Sequence, residues 1–360
     1  MRAFGIGNFE FNLTRDIEAL TIFDFVSELK NKLASIHNIE SIEIDYDNID
    51  NDRVIVFEAP TGLRSNDGYN PHIQFLDLWF DLYIPHRVQE TFLAELGFQH
   101  MADPLIERFR VNIKEHFYSM VTHVEMLGAT RESEPSNGVI IVREYLKKYF
   151  NSLGSFIKFH AIGPSPFHAN FYVTERPKKS DGHIEINLVE KMGYNDVEIF
   201  TTSDEMVPLD FIYYDMHREL DFYYGLINIR NEFMHEWHDI SNKLSELMNL
   251  DSSRFNFISH VKRKRLIGEI LKLLWMFKAR VIDVSSRGII NYNDVYAVNK
   301  GCFYIQGFVD REASLKYDYP IDDTKELVKF YEEKSSKSLE LMINFTTALL
   351  GALVGVFFAK

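Results

Sequence analysis

The segment around residue 230 holds the side chains best suited to acid–base chemistry. Arg230 is followed by Asn231 and then by His235, in the run RNEFMH. A guanidinium can bind a phosphate, and an imidazole can give or take a proton near neutral pH. Helical spacing places Arg230 in a wide apolar face and His235 at the edge of the polar face. Because a buried guanidinium needs a partner, we expect Arg230 to meet a carboxylate, a carbonyl, a phosphate or a second subunit.

The same six residues resemble the Arg-x4–6-His motif of HEPN-family ribonucleases, in which a polar residue follows the arginine. The resemblance implies a metal-independent endoribonuclease whose motif lies on a helix of an all-helical, usually dimeric, bundle. It assigns phosphate binding to Arg230, general acid–base catalysis to His235 and orientation of the pair to Asn231. The α/β character of the first half departs from the family, and two other Arg–His pairs share the spacing.

A metal site has weaker support on the same helix. His235 and His238 stand three positions apart, a spacing at which two histidines can share a metal ion. No second helix supplies a matching Glu-x-x-His, and the single cysteine, Cys302, can build neither a Cys-based zinc site nor an internal disulfide. No P-loop and no dinucleotide-binding glycine pattern occurs. The sequence therefore predicts no metal and no cofactor.

A basic run, formed by Lys262, Arg263, Lys264 and Arg265, interrupts a chain whose net charge is −14. Such a run can bind RNA phosphates or anionic lipid headgroups, or it can pair with acidic surfaces of the protein. A position beside Arg230 and His235 would favour RNA, whereas a position beside a membrane would favour lipid. The acidic balance of the whole chain excludes a global nucleic-acid footprint, so DNA is not a predicted partner.

The elements that carry these residues differ along the chain. A hydrophobic content of 46% excludes a disordered chain. Periodicity predicts an α+β protein, with mixed α/β units first and long helices after them. The predicted domains are a mixed α/β domain, a second small α/β unit, a helical stalk or bundle and a transmembrane tail anchor, at residues 1–130, 138–203, 204–340 and 341–359. A polar linker at 128–137 separates the first two, and one continuous helix is predicted over Asp322–Ala359.

Residues 341–359 carry no charge, and only Lys360 follows them. As a helix they would extend about 28 Å, close to the ~30 Å hydrocarbon core of a bilayer. The alternative is a buried helix of a soluble core. No export signal is recognised at the start of the chain. We therefore expect a single-pass C-terminal anchor with residues 1–340 in the cytoplasm.

Small residues recur in this segment at spacings of three and four, a pattern that lets transmembrane helices approach closely. They are Ala348, Gly351, Ala352 and Gly355. The leading prediction is a non-enzymatic, tail-anchored protein whose α/β region binds or senses a partner. Its stalk and tail would self-associate at the membrane. A membrane-tethered HEPN-like ribonuclease is the alternative, and a membrane-permeabilising effector is the third. The predicted partners are a lipid bilayer, further copies of the chain, and either RNA or a protein.

Overall fold

The chain is α+β, with an N-terminal sheet followed by long helices. A computed structural model describes residues 1–14, 17, 20–46, 55–57, 70–72, 75–97, 106–116, 119–162, 167–176, 184–202, 209–251, 257–296, 303–315 and 317–358. Cys302, Ala359 and Lys360 lie outside these residues. Two compact units form the protein. Unit 1 is Met1–Ile227 with Val295–Glu312, and unit 2 is Asn228–Asp294 with Ala313–Lys360.

The elements follow one another in a simple order. The helices are α1 (Ile22–Ala34), α2 (His86–Glu95), α3 (Pro135–Ser152), α4 (Leu209–Asp251), α5 (Phe257–Tyr296), α6 (Gln306–Ala313) and α7 (Ile321–Phe358). The strands are β1 (Arg2–Leu13), β2 (Ile39–Tyr46), β3 (Ile55–Phe57), β4 (Asn70–His72), β5 (Phe75–Tyr83), β6 (Arg108–His116), β7 (Ser119–Met126), β8 (Ile157–Ile162), β9 (Ala169–Arg176), β10 (Ile184–Val189) and β11 (Asn195–Thr202).

Unit 1 is built on a nine-stranded sheet of order β10-β11-β9-β1-β7-β6-β5-β2, in which β8 also pairs with β1. The strands are antiparallel except for the parallel pair β9 and β11. Strand β1 has twelve residues. Its first half pairs with β7 and β9, and its second half pairs with β8. The strands β3 and β4 form a separate two-stranded sheet.

The strands of both predicted α/β units therefore belong to one sheet, although the sequence predicted a boundary at 128–137. The long central strand β1 explains the difference, because it offers pairing edges to strands from both segments. The polar stretch 128–137 leads directly into α3, whose first residue is Pro135. Proline suits the first helical turn, since its missing N–H has no intrahelical acceptor there.

One face of the sheet carries the main apolar core beneath α1, α2 and α3. Phe9, Phe11 and Leu13 of β1 enter this core, together with Leu29 of α1. Helix α3 approaches β1 so closely that a Cβ on Gly5 would lie 2.6 Å from the Pro135 carbonyl oxygen. The opposite face meets the first half of α4, where Phe4 and Tyr213 have ring centroids 4.9 Å apart. Unit 1 therefore has helices on both faces of its sheet.

Unit 2 consists of the rest of α4, α5 and α7. Phe233, Ile240 and Leu247 recur every seven residues along α4 and are buried in one apolar cluster. The cluster also contains Ile270 of α5 and Val328 of α7. Helix α7 is one continuous helix of 38 residues, so the prediction of a single helix over Asp322–Ala359 is confirmed as far as Phe358. Within the described part of the chain, no helix is both long enough and apolar enough to cross a membrane.

Candidate functional site at the end of the helical bundle

The helices α4 and α5 of unit 2 run antiparallel, and a series of ion pairs holds them in register. Arg280 of α5 contacts both Glu232 and Glu236 of α4. Further along, Lys243 Nζ lies 2.9 Å from Glu269 Oε2. Lys262 Nζ lies 3.0 Å from Glu246 Oε1, near the end of the pair. Residues late in α4 therefore lie beside residues early in α5.

Helix α7 runs antiparallel to α5 along the same bundle. Near the start of α7, Lys325 Nζ lies 4.5 Å from the centroid of the Trp275 ring. Farther along, Ser335 Oγ and His260 Nδ1 are 3.0 Å apart and share a hydrogen bond. Because His260 belongs to the first turn of α5, α7 passes the end of the α4–α5 pair shortly after Ser335.

Beyond that point, and as far as Val354, none of the described residues packs around α7 closely enough to bury its side chains. All described side chains from Glu340 to Val354 are exposed. Leu341 is 67% exposed and Phe345 is 69% exposed. These side chains occupy every side of the helix, and most are apolar, the polar ones being Glu340, Asn344, Thr346 and Thr347. Contact of this exposed apolar surface with water is unfavourable.

A cavity of about 340 Å³ lies where α7 leaves the bundle. His260, Val261, Lys264, Arg265 and Leu339 line it. The lining joins an apolar wall to two cationic side chains, and Arg265 Nε lies 3.0 Å from Glu269 Oε1. Burial and the nearby positive charges of Arg263 and Lys264 lower the pKa of His260.

Arg263 differs from the other members of the basic run. Its side chain turns inward, and its Nη2 donates a hydrogen bond of 2.9 Å to the carbonyl oxygen of Leu250. That carbonyl belongs to the last turn of α4, where backbone carbonyls have no N–H donor within the helix. Arg263 thus has a structural role at the helix end. Lys262, Lys264 and Arg265 carry the exposed positive charge.

The basic run lies far from the residues of the predicted nuclease motif. Glu246, the partner of Lys262, follows Arg230 by about 16 residues of α4, or about 24 Å of helix. The cavity instead adjoins Leu339, directly before the uncharged segment. The basic run therefore lies beside Leu339 and away from Arg230 and His235. Two of its members, Lys262 and Arg265, pair with Glu246 and Glu269 of the protein itself.

The nuclease-motif residues face different surroundings. Arg230 is half-buried. It lies near Tyr319, since burial raises the pKa of Tyr319 and the positive charge of Arg230 acts in the opposite direction. Asn231 and His235 are exposed. Helical geometry separates the directions of Arg230 and His235 by about 140°.

The predicted metal pair gains no further ligand. His235 and His238 are both exposed. In the described ranges, no group of three or more His, Cys, Asp or Glu residues is positioned to hold a metal ion.

The small residues of α7 have no packing role within the described chain. Ala348, Gly351 and Ala352 are exposed, and a Cβ added to Gly351 would meet no atom within 4 Å. The surroundings of Gly355 lie outside the described residues. The glycine at position 351 is therefore not explained by contacts inside one chain.

A buried polar cluster in unit 1 was not predicted. His123 of β7 is fully buried, and its ring stacks on Tyr213 of α4 at a centroid distance of 4.0 Å. Among the described residues, neither ring nitrogen of His123 has a hydrogen-bond partner. Burial, with the nearby His217 and Lys114, lowers the pKa of His123 well below its usual value. The ring is therefore neutral at pH 7.

The same face of the sheet carries a row of charged pairs across neighbouring strands. Asp77 of β5 accepts hydrogen bonds from Asn112 and from Lys114 of β6, the latter at 2.6 Å. Arg110 makes a bidentate contact with Asp81, at 2.8 and 3.2 Å. Alternation of polar residues along β5 and β6 was the signal available for this row. Nothing in the sequence paired its members.

Glu219 of α4 is a third unpredicted group. Its Oε2 accepts backbone N–H bonds from Tyr304 at 2.6 Å and Ile305 at 3.2 Å, just before α6. Its Oε1 accepts a hydrogen bond from the hydroxyl of Tyr296. Burial raises the pKa of Glu219 from 4.5 to about 7, although these hydrogen bonds act in the opposite direction.

Comparison with known proteins adds no family to this description. No protein-family model, no curated protein and no solved structure matches the chain.

Proposed function

We propose that the protein is attached to a lipid bilayer by residues 341–359 and that its α/β unit recognises a partner at the membrane surface. The observation that carries the proposal is the exposed apolar end of α7. A helix that is apolar on all sides needs a cover that is itself apolar on all sides, and lipid acyl chains provide one. In the sequence, residues 341–359 carry no charge.

The charges at the end of the bundle support the same proposal. Lys264 and Arg265 lie beside Leu339, at the depth where lipid headgroups would begin. Anionic lipids are concentrated in the cytosolic leaflet and attract such side chains by about 1 kcal/mol each. The proposed orientation therefore has residues 1–340 on the cytosolic side.

Vesicle flotation tests the attachment. The full chain is synthesised in the presence of phosphatidylcholine vesicles, which are then washed with alkaline carbonate and floated on a density gradient. We expect the protein to float with the vesicles. The double variant Leu349→Lys and Leu350→Lys should stay at the bottom, because a lysine in the bilayer centre costs about 2.5–3.5 kcal/mol.

The variant Leu327→Lys is the matched control. It makes the same substitution at an exposed position of α7, in the part of the helix that packs on α5. It should float like the unchanged protein. The proposal would be contradicted if the double variant still floated with the vesicles, or if the unchanged chain failed to float.

The ribonuclease alternative has no specific observation in its favour. Its residues Arg230 and His235 point to different surroundings on α4. A shared cleft would need a second chain to supply one of the two side chains. We therefore base the proposed function on the end of α7.

A further inference from the structure

The cavity at the end of the bundle is bordered by both apolar and cationic residues. Val261 and Leu339 form an apolar wall, and Lys264 and Arg265 add two positive charges to the same lining. The cavity volume of about 340 Å³ lies within the range of small-ligand sites. A ligand that suits this lining has an anionic group joined to an apolar chain.

The position of the cavity adds a second constraint. Leu339 of α7 lines it, and the uncharged segment begins two residues later. A molecule in the cavity would therefore have its anionic end beside the bundle and its apolar end along the emerging helix. The first turn of α5, which contains His260, adds the partial positive charge of a helix N-terminus.

We propose that this cavity binds the phosphate headgroup of one anionic phospholipid, with Lys264 and Arg265 as its cationic partners. The inference rests on the proposed membrane attachment and adds a lipid class to it. The part of an acyl chain nearest the headgroup lies against Val261 and Leu339. The phosphate oxygens accept hydrogen bonds from Lys264 and Arg265.

The neighbouring charges define which side chains are available. Lys262 already pairs with Glu246, and Arg263 donates to the Leu250 carbonyl. Lys264 is exposed and has no ion pair among the described residues. Arg265 pairs with Glu269, but its side chain is 82% exposed and its guanidinium has further donors. Lys264 is therefore the main contributor.

The test compares lipid preference instead of attachment alone. The full chain is inserted into vesicles of phosphatidylcholine mixed with phosphatidylglycerol and extracted in mild detergent, and the lipids that stay bound are counted by native mass spectrometry. We expect one phosphatidylglycerol to be retained in preference to phosphatidylcholine. Lys264→Ala should lower that preference by about fivefold, which corresponds to the ~1 kcal/mol of one cation beside an anionic lipid.

Lys272→Ala is the matched control, because Lys272 is an exposed lysine of α5 about 12 Å farther along the helix. It should retain the phosphatidylglycerol preference. An equal preference in all three proteins would overturn the proposal while leaving the membrane attachment standing. Failure of the unchanged chain to float with any vesicle would overturn both.

Two further measurements exclude other anions. Inorganic phosphate should not displace the retained lipid, because it lacks the apolar part that Val261 and Leu339 contact. Displacement by inorganic phosphate would overturn the assignment to lipid. RNA binding that Lys264→Ala abolishes, with an unchanged lipid preference, would also overturn it and would assign the cavity to RNA.

Discussion

Glu219 shows how strongly one buried carboxyl group couples stability to pH. Its pKa is about 7 in the folded protein, against 4.5 as its ordinary value. Between these pH values the folded state holds a proton that the unfolded state has released, so the contribution of Glu219 to stability is lost as pH rises from 4.5 to 7. The full loss is on the order of 3 kcal/mol. The Glu219→Gln variant should lack this loss, which urea unfolding at several pH values would measure.

The test compares the pH dependence of unfolding free energy between Glu219→Gln and the unchanged protein, because other groups titrate in the same range. His123 works in the opposite direction, since its lowered pKa makes acid destabilising. Glu40→Gln is the matched control, because it makes the same substitution at an exposed position of β2. A pH profile of Glu219→Gln that runs parallel to that of the unchanged protein would show that Glu219 does not titrate in this range.

At the level of elements, the contact between β1 and α3 depends on two glycines. A Cβ at position 5 would meet the Pro135 backbone at 2.6 Å, and a Cβ at position 7 would meet only side-chain atoms below 3.4 Å. Side chains can shift, whereas the start of α3 cannot move without the whole helix. We expect Gly5→Ala to lower the free energy of unfolding by about 1–3 kcal/mol and Gly7→Ala to lower it by less. Thermal or urea unfolding of the full chain measures both.

Gly154→Ala is the control for this pair. A Cβ at position 154 meets no atom within 4 Å. The substitution should leave stability unchanged or raise it by about 0.4–1 kcal/mol, because alanine restricts the unfolded chain. Equal stability of Gly5→Ala and Gly154→Ala would contradict the close approach of α3.

At the level of the whole molecule, self-association through α7 follows from the proposed attachment. Gly351 is exposed, and a Cβ added there would meet no atom of the described residues within 4 Å. In lipid or detergent, a glycine on a helix surface allows a second helix to approach closely. Gly351→Ile should therefore weaken association of the full chain in detergent by at least about fivefold, as measured by sedimentation.

Leu349→Ile is the control, since it keeps the side-chain volume and lies on the opposite side of the helix. It should leave association unchanged. A full chain that sediments as a monomer in detergent would contradict self-association without affecting flotation on vesicles.

The sequence determined the helices and the fold class because their signals are local. Periodicity indicated α/β units followed by long helices, and it indicated the uninterrupted α7. The chemistry of the candidate cavity was partly visible as well, because a basic run in an acidic chain needs no structure to be noticed. The sequence did not separate Arg263, which serves the end of α4, from Lys264, which is exposed.

Which distant residues meet is visible in the folded chain and not in the sequence. Strand β1 joins segments that the sequence assigned to separate units, because pairing depends on hydrogen bonds between residues more than a hundred positions apart. The contact of His123 with Tyr213 and that of Glu219 with Tyr304 are of the same kind. The basic run also acquired its setting beside Leu339 in this way, since the antiparallel packing of α7 on α5 brings the two together. Local propensity carries no information about such long-range packing.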